Sequence, residues 1–181
     1  MQWYQENAVN PSDRTVKRMF DIPLIHQLEI VGSVFIAAIL GAFIGLERER
    51  ADKPAGLRTM ALIASASALV VALGEHVNQL SPGIGDPTRA LHGVITGIGF
   101  LGAGTIAVGS GMRQGGVTTA ATVFVTAAVG ITVGMGAPVT AVLATLLVLL
   151  ALRAGGVLEK VGLRPRRDSN EIKNEPEAEE K

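Results

Sequence analysis

The chain contains no cysteine, which excludes disulfide bridges, thiolate nucleophiles and thiolate metal ligands. It also lacks an excess of charge of either sign. Sixteen basic and sixteen acidic residues cancel to a formal +0, with a pI near 6.8. No field of the kind that draws a protein to a polyanion is available, so general nucleic-acid binding is excluded. Charge is moreover missing from most of the middle of the chain. What remains is apolar: 48% hydrophobic residues before glycine is counted, and 22 glycines in 181 residues beside them. That exceeds the roughly 45–50% apolar fraction, glycine included, of an ordinary soluble domain.

No Asp, Glu, Lys or Arg occurs in Ile30–Leu46, Thr59–Gly74, Leu91–Met112 or Gln114–Leu152. At about 1.5 Å per residue the first three runs reach about 24–33 Å, enough for a hydrocarbon core of about 30 Å. The fourth is too long for one crossing. It contains Gly134-Met135-Gly136-Ala137-Pro138, a turn signal, and Pro138 suits the first position of a new helix. The expectation is an all-α polytopic membrane protein. It is a compact bundle of about five transmembrane helices near 23–46, 58–75, 87–108, 117–133 and 138–153. Residues 1–22 read as a polar N-terminal segment and 154–181 as a charged tail with the composition of disorder. The first apolar run is longer than the core of a signal peptide and is expected to be retained.

Orientation follows from lysine and arginine. Arg48, Arg50, Lys53, Arg58, Arg113 and the basic residues of the C-terminal tail fall on one side, against Arg14, Lys17, Arg18 and Arg89 on the other. The balance puts the N-terminus outside and the C-terminus in the cytoplasm, although the cluster before the first helix pulls the other way.

Lipid supplies no hydrophobic drive for helix association, so small residues that let backbones approach must do so. Ala37, Gly41 and Gly45 have this spacing in the first helix, Gly93 and Gly97 in the third, with Gly99, Gly102 and Ala103 beside them. Ala61 with Ser65, and Gly130 with Gly134, repeat it in the second and fourth. A tight bundle with little room for an aqueous pore is expected.

Gly97-Ile98-Gly99-Phe100-Leu101-Gly102 matches the dinucleotide fingerprint G-x-G-x-x-G, but it lies within a charge-free helix and no acid follows at the required distance. Nucleotide binding is set aside. Asp86-Pro87 reads as N-cap and first position of the third helix. In the charge island 47–58, Arg48 with Asp52 and Glu49 with Lys53 stand four apart and would pair on a continuing helix. Glu47 abuts one apolar run and Arg58 precedes the next, so a Glu47–Arg58 ion pair is expected at the mouth of the bundle. His26, His76 and His92, with Glu29, Glu75 and Asp86, all fall on the predicted outer face. They read either as interfacial polar residues or as a weak divalent-cation or pH-sensitive cluster. No catalytic constellation is found, so neither an enzyme nor a cofactor is expected.

Three blocks carry a resemblance: GLERERADKPAGLRT at 45–59, DPTRALHGVITGIGFLGAGTI at 86–106 and GVTTAATVFVTAAVGI at 116–131. With the helices between them the chain resembles the MgtC/SapB family of bacterial inner-membrane proteins over about residues 30–152. The likeness implies a non-enzymatic integral membrane protein associated with adaptation to low magnesium, with survival of pathogens inside host cells, and with restraint of the rotary ATP synthase. It also implies a short form without the soluble C-terminal domain of longer members. Carried over by motif, the family's charged signature falls on Glu47, Arg48, Glu49, Arg50, Arg58, Asp86 and Arg89, with Thr118 and Thr119 as its polar pair. The expected partners are the lipid bilayer and another membrane complex, or a second copy of the chain. The rival reading is a small transporter or channel for magnesium or another ion.

Overall fold

The computed structural model describes residues 22–80, 87–109 and 115–160. Five helices follow one another, α1 (Leu24–Arg50), α2 (Leu57–Leu80), α3 (Pro87–Gly109), α4 (Gly115–Gly134) and α5 (Pro138–Lys160). Every regular element among the described residues is an α-helix, and no strand occurs among them: the protein is an all-α polytopic membrane bundle. Four helices are long and apolar enough to cross a membrane: Leu24–Arg50, Leu57–Gln79, Thr88–Ala107 and Gly116–Gly134. The apolar stretch of α5, Pro138–Ala154, is shorter. A first compact unit runs to Leu149 and a second begins at Leu150, within α5.

Helix boundaries have local causes. Pro87 and Pro138 open α3 and α5, where a missing N–H leaves nothing unpaired. α1 continues one turn beyond its apolar run because Glu47, Arg48, Glu49 and Arg50 are all good helix formers. It then stops in a Schellman arrangement. Lys53 N–H donates to Arg48 C=O at 3.0 Å and Asp52 N–H to Glu49 C=O at 3.1 Å, with Asp52 at φ 51°. α4 stops the same way: Ala137 N–H donates to Thr132 C=O, Gly136 N–H to Val133 C=O, and Gly136 lies at φ 79°.

α1, α2 and α4 share the core, with α2 at its centre. On α2, Met60, Ala64 and Ala68 are each fully buried. A Cβ at Gly41 of α1 would lie 2.5 Å from Met60 O and 2.8 Å from Ala64 Cβ. One at Gly45 would lie 2.5 Å from Leu57 Cα. From the other side, a Cβ at Gly130 of α4 would run into the carbonyl of Ala64, and one at Gly134 would lie 2.6 Å from that of Ala68. Backbone therefore touches backbone on both sides of α2, which small residues permit and any larger residue forbids. The second helix uses Ala64 and Ala68 for this rather than the expected Ala61 and Ser65, which are half-buried.

α3 packs on this core from one side. Its contacts include Ala90 against Gly74 of α2, Ile98 in a cluster with Met60, Val123 and Ala127, Gly102 against Ala120, and Thr105 and Ile106 against Gly116 of α4. Here one expectation needs correcting. A Cβ at Gly93, Gly97, Gly99 or Gly104 would meet nothing described within 4 Å. Gly102 packs as expected; Gly93, Gly97 and Gly99 do not pack against any described residue. The buried residues Ile98 and Gly102 lie on the opposite side of α3 from Gly93, Gly97 and Gly104, so the helix turns its glycine face outward.

Candidate functional site

At the end of the bundle formed by the α1–α2 turn and the start of α4, one charged side chain is buried among the described residues. Arg48 in the last turn of α1 is 4% exposed. Its Nη2 donates to Thr119 Oγ1 of α4 at 2.7 Å, a contact across 71 residues of sequence. Its Nε is buried with no hydrogen-bond partner among the described residues. Placement follows from helix geometry: Gly41, Ile44, Gly45 and Arg48 recur at three- and four-residue steps, so the seam that buries the glycines also carries Arg48 inward.

From Thr119 a column of polar residues continues along α4. Thr122 and Thr126 are buried at 4% and 0% exposure. Thr122 Oγ1 donates to Thr118 C=O and Thr126 Oγ1 to Thr122 C=O, both at 2.8 Å, and Thr126 also lies 3.4 Å from Met60 Sδ. Beyond Thr126 the buried residues of α4 are Ala127, Val129 and Val133, Gly130 meets Ala64, and the buried hydroxyl of Ser67 on α2 is committed to the Ile63 carbonyl. The column ends inside the bundle.

The turn that positions Arg48 is fastened by Glu49. Its Oε2 accepts the backbone N–H of Leu57 at 3.2 Å, serving as a carboxylate cap on the N-terminus of α2 from eight residues upstream. Glu49, Asp52, Lys53, Gly56, Leu57, Arg58 and Thr59 line an open depression of about 490 Å³ beside it.

Among the described residues no Glu47–Arg58 ion pair is found: Arg58 is exposed, whereas Glu47 is half-buried and has an interaction of its own. The reason is register: Arg58 in the first turn of α2 points outward, whereas the inward position of that turn belongs to Met60. Arg50, Arg89 and Thr118 are exposed as well. The structure thus brings Arg48, Glu49 and Thr119 to one end and leaves Arg50 and Arg58 at its surface; Asp86 lies outside the described residues. The expected outer cluster is divided too. His26 and His76 meet, while Glu29 is exposed, Glu75 pairs with Gln79 and exposed His92 bonds the Thr88 carbonyl. Sequence reasoning missed the capping role of Glu49 and the burial of Thr122 and Thr126. The signal for the latter was present, since 119, 122 and 126 fall on one helical face.

Chemically, a guanidinium that stays protonated and offers only donors can hold an anionic group or orient a partner, but it cannot shuttle a proton.

Comparison with known proteins agrees with the resemblance in the sequence. The profile of the MgtC family matches residues 34–161. A Haemophilus influenzae protein is 38% identical over 74% of this chain and 58% of its own length. Protein SrpB of Synechococcus elongatus is 37% identical over 71% of this chain and 75% of its own. Protein MgtC of Salmonella typhimurium is 38% identical over 75% of this chain and 53% of its own. The match therefore spans little more than half of the Haemophilus and Salmonella proteins. No solved structure matches the chain. A matching profile over most of the chain, on a bundle of apolar helices closed by the 45–59 turn and the threonines of α4, makes the chain a membrane protein of the MgtC family.

Proposed function

We propose that the protein is a non-enzymatic regulator of ion or energy homeostasis in the bacterial inner membrane, acting through contact with another membrane complex. The observation that carries this reading is the outward face of α3. Gly93, Gly97 and Gly104 stand open there, with Phe100 beside them at 80% exposure. Glycines spaced for close helix approach, with no described helix against them, suit a partner helix supplied from outside. The family resemblance offers the rotary ATP synthase as that complex, in cells adapting to low magnesium. The proposed orientation has the N-terminus outside, so that Arg48 and the charged turn lie at the cytoplasmic end.

The rival reading, an ion transporter, draws on the buried column Arg48, Thr119, Thr122 and Thr126. Two features oppose it. The hydroxyls of Thr122 and Thr126 are committed to carbonyls of their own helix, and backbone contact closes the interior beyond them. Magnesium, which keeps its waters and prefers carboxylates, has no buried acid along that path among the described residues.

Single cysteines at Gly93 and Gly97, crosslinked in native membranes, are expected to capture one discrete membrane partner, whereas cysteines at Leu62 or Leu147 capture none. Capture of nothing from α3, together with magnesium flux into liposomes carrying the purified protein, would reverse the ranking.

A further inference from the structure

At the end of the bundle opposite Arg48, two histidines from different helices meet. His26 lies in the first turn of α1 and His76 near the end of α2; their ring centroids are 5.7 Å apart and their planes tilted by 55°. His76 is 7% exposed. His26 Nδ1 and His76 Nε2 are both buried, and neither has a hydrogen-bond partner among the described residues. A buried polar atom without a partner costs roughly 1–3 kcal/mol, and two on adjoining rings leave two nitrogens able to bind a common ligand.

We propose that His26 and His76 form a two-imidazole site for a transition-metal ion of the zinc and copper class. Imidazole nitrogen is a borderline ligand that suits zinc, copper and nickel, whereas magnesium requires oxygen ligands. The spacing fits. An imidazole nitrogen binds zinc at about 2.0–2.1 Å, which puts the ion about 3 Å from each ring centre and two such rings about 5–6.5 Å apart. The observed 5.7 Å falls within that range. Among the described residues no third His, Asp or Glu joins the pair, so water completes the coordination shell and the affinity is modest. An ion there ties the start of α1 to the end of α2, about 33 Å along α1 from Arg48. The inference does not depend on the proposed regulatory role.

The test uses the full chain in detergent. Zn²⁺ is titrated calorimetrically in excess Mg²⁺, and bound Cu²⁺ is examined by pulsed paramagnetic resonance, which counts coordinating imidazoles. One equivalent of Zn²⁺ is expected to bind without competition from Mg²⁺, with two imidazoles on Cu²⁺. His26→Gln and His76→Gln are each expected to weaken binding about tenfold or more, and His92→Gln to leave it unchanged. Absence of binding, equal binding by the His26→Gln/His76→Gln double variant, or fewer than two imidazoles on wild-type-bound copper would overturn the proposal. The copper measurement on the unaltered chain decides even where a variant misfolds.

Discussion

The glycines of α4 and those of α3 look alike in sequence and do different things. Gly130 and Gly134 sit four apart, as do Gly93 and Gly97, each pair in an apolar helix of membrane-spanning length. In α4 both positions press against backbone carbonyls of α2; in α3 both face open space. The spacing reports a helix able to be approached closely. It does not report whether the approaching helix belongs to the same chain. α4 is accordingly the most buried of the four spans and α3 the least. The seam around α2 therefore carries the stability of the bundle, while α3 carries a surface.

The largest effect is expected where this contrast is sharpest. Gly130→Leu drives a side chain into the Ala64 carbonyl, which cannot rotate away, so the loss should exceed the roughly 1–3 kcal/mol typical of overpacking. The variant is expected not to accumulate in the membrane. Gly97→Leu meets nothing and is expected to match the unaltered chain in level and in thermal unfolding in detergent, while losing the crosslinked partner. Equal loss of fold from both substitutions would erase the distinction between seam and surface.

Next in size is Arg48, the one charge buried at the seam among the described residues. Burying a guanidinium with a single hydrogen bond among the described residues, to Thr119, stabilises little after its desolvation is counted. Replacing even a buried ion pair by apolar residues of similar volume is often neutral or stabilising by about 1–4 kcal/mol, and a buried ion held by one neutral hydroxyl has less to lose. Arg48→Met is thus expected to keep or raise the unfolding temperature while failing to complement a deletion strain under magnesium limitation. If stability falls and function follows it, Arg48 is a structural bolt and the site lies elsewhere.

What was legible in the sequence divides along the same line. Helix number, order and approximate limits could be read from charge-free runs, because desolvating a charge dominates every other local term in a bilayer. The turn at Gly134–Pro138 could be read because glycine and proline have positional meaning. The partner of a charge could not. Glu47 and Arg58 are symmetrically placed about the turn, yet the rotation of two packed helices, set by Gly41, Gly45, Met60 and Ala64, decided that Arg48 and not Glu47 or Arg58 turns inward. That rotation is a property of the pair of helices and is encoded in neither alone. His26 and His76 were legible as two of three histidines on one predicted face, and packing then separated them from His92.

A smaller effect belongs to Glu49, which fastens the seam at its charged end. Removing a capping acceptor costs about 0.5–2 kcal/mol, so Glu49→Ala should lower stability by about 1 kcal/mol, and Glu49→Gln by less because the amide oxygen still accepts from Leu57 N–H. Denaturant or thermal unfolding in detergent reads both. If Arg48 is positioned by this turn, Glu49→Ala should also reduce complementation, and the α3 crosslink should survive.

The smallest effect runs in the other direction. α1 and α4 end in the same hydrogen-bonded arrangement, but the residue with positive φ is glycine at 136 and aspartate at 52. The left-handed conformation brings Cβ close to a carbonyl oxygen and costs an L-residue roughly 1–2 kcal/mol, less for aspartate than for most, and nothing comparable for glycine. Asp52 is exposed, so its side chain gives up little packing on removal. Against the relief stands the greater entropy of glycine in the unfolded chain, worth roughly 0.5–1 kcal/mol. The balance favours Asp52→Gly by a few tenths of a kcal/mol at most, seen as a slightly raised unfolding temperature. Asp52→Val, which adds a β-branch to the same backbone, should fall by more than Asp52→Gly rises. Should Asp52→Gly instead fall as far as Glu49→Ala, the aspartate carboxylate contributes to the turn directly, and the charged end is held by two acids where the geometry assigns one.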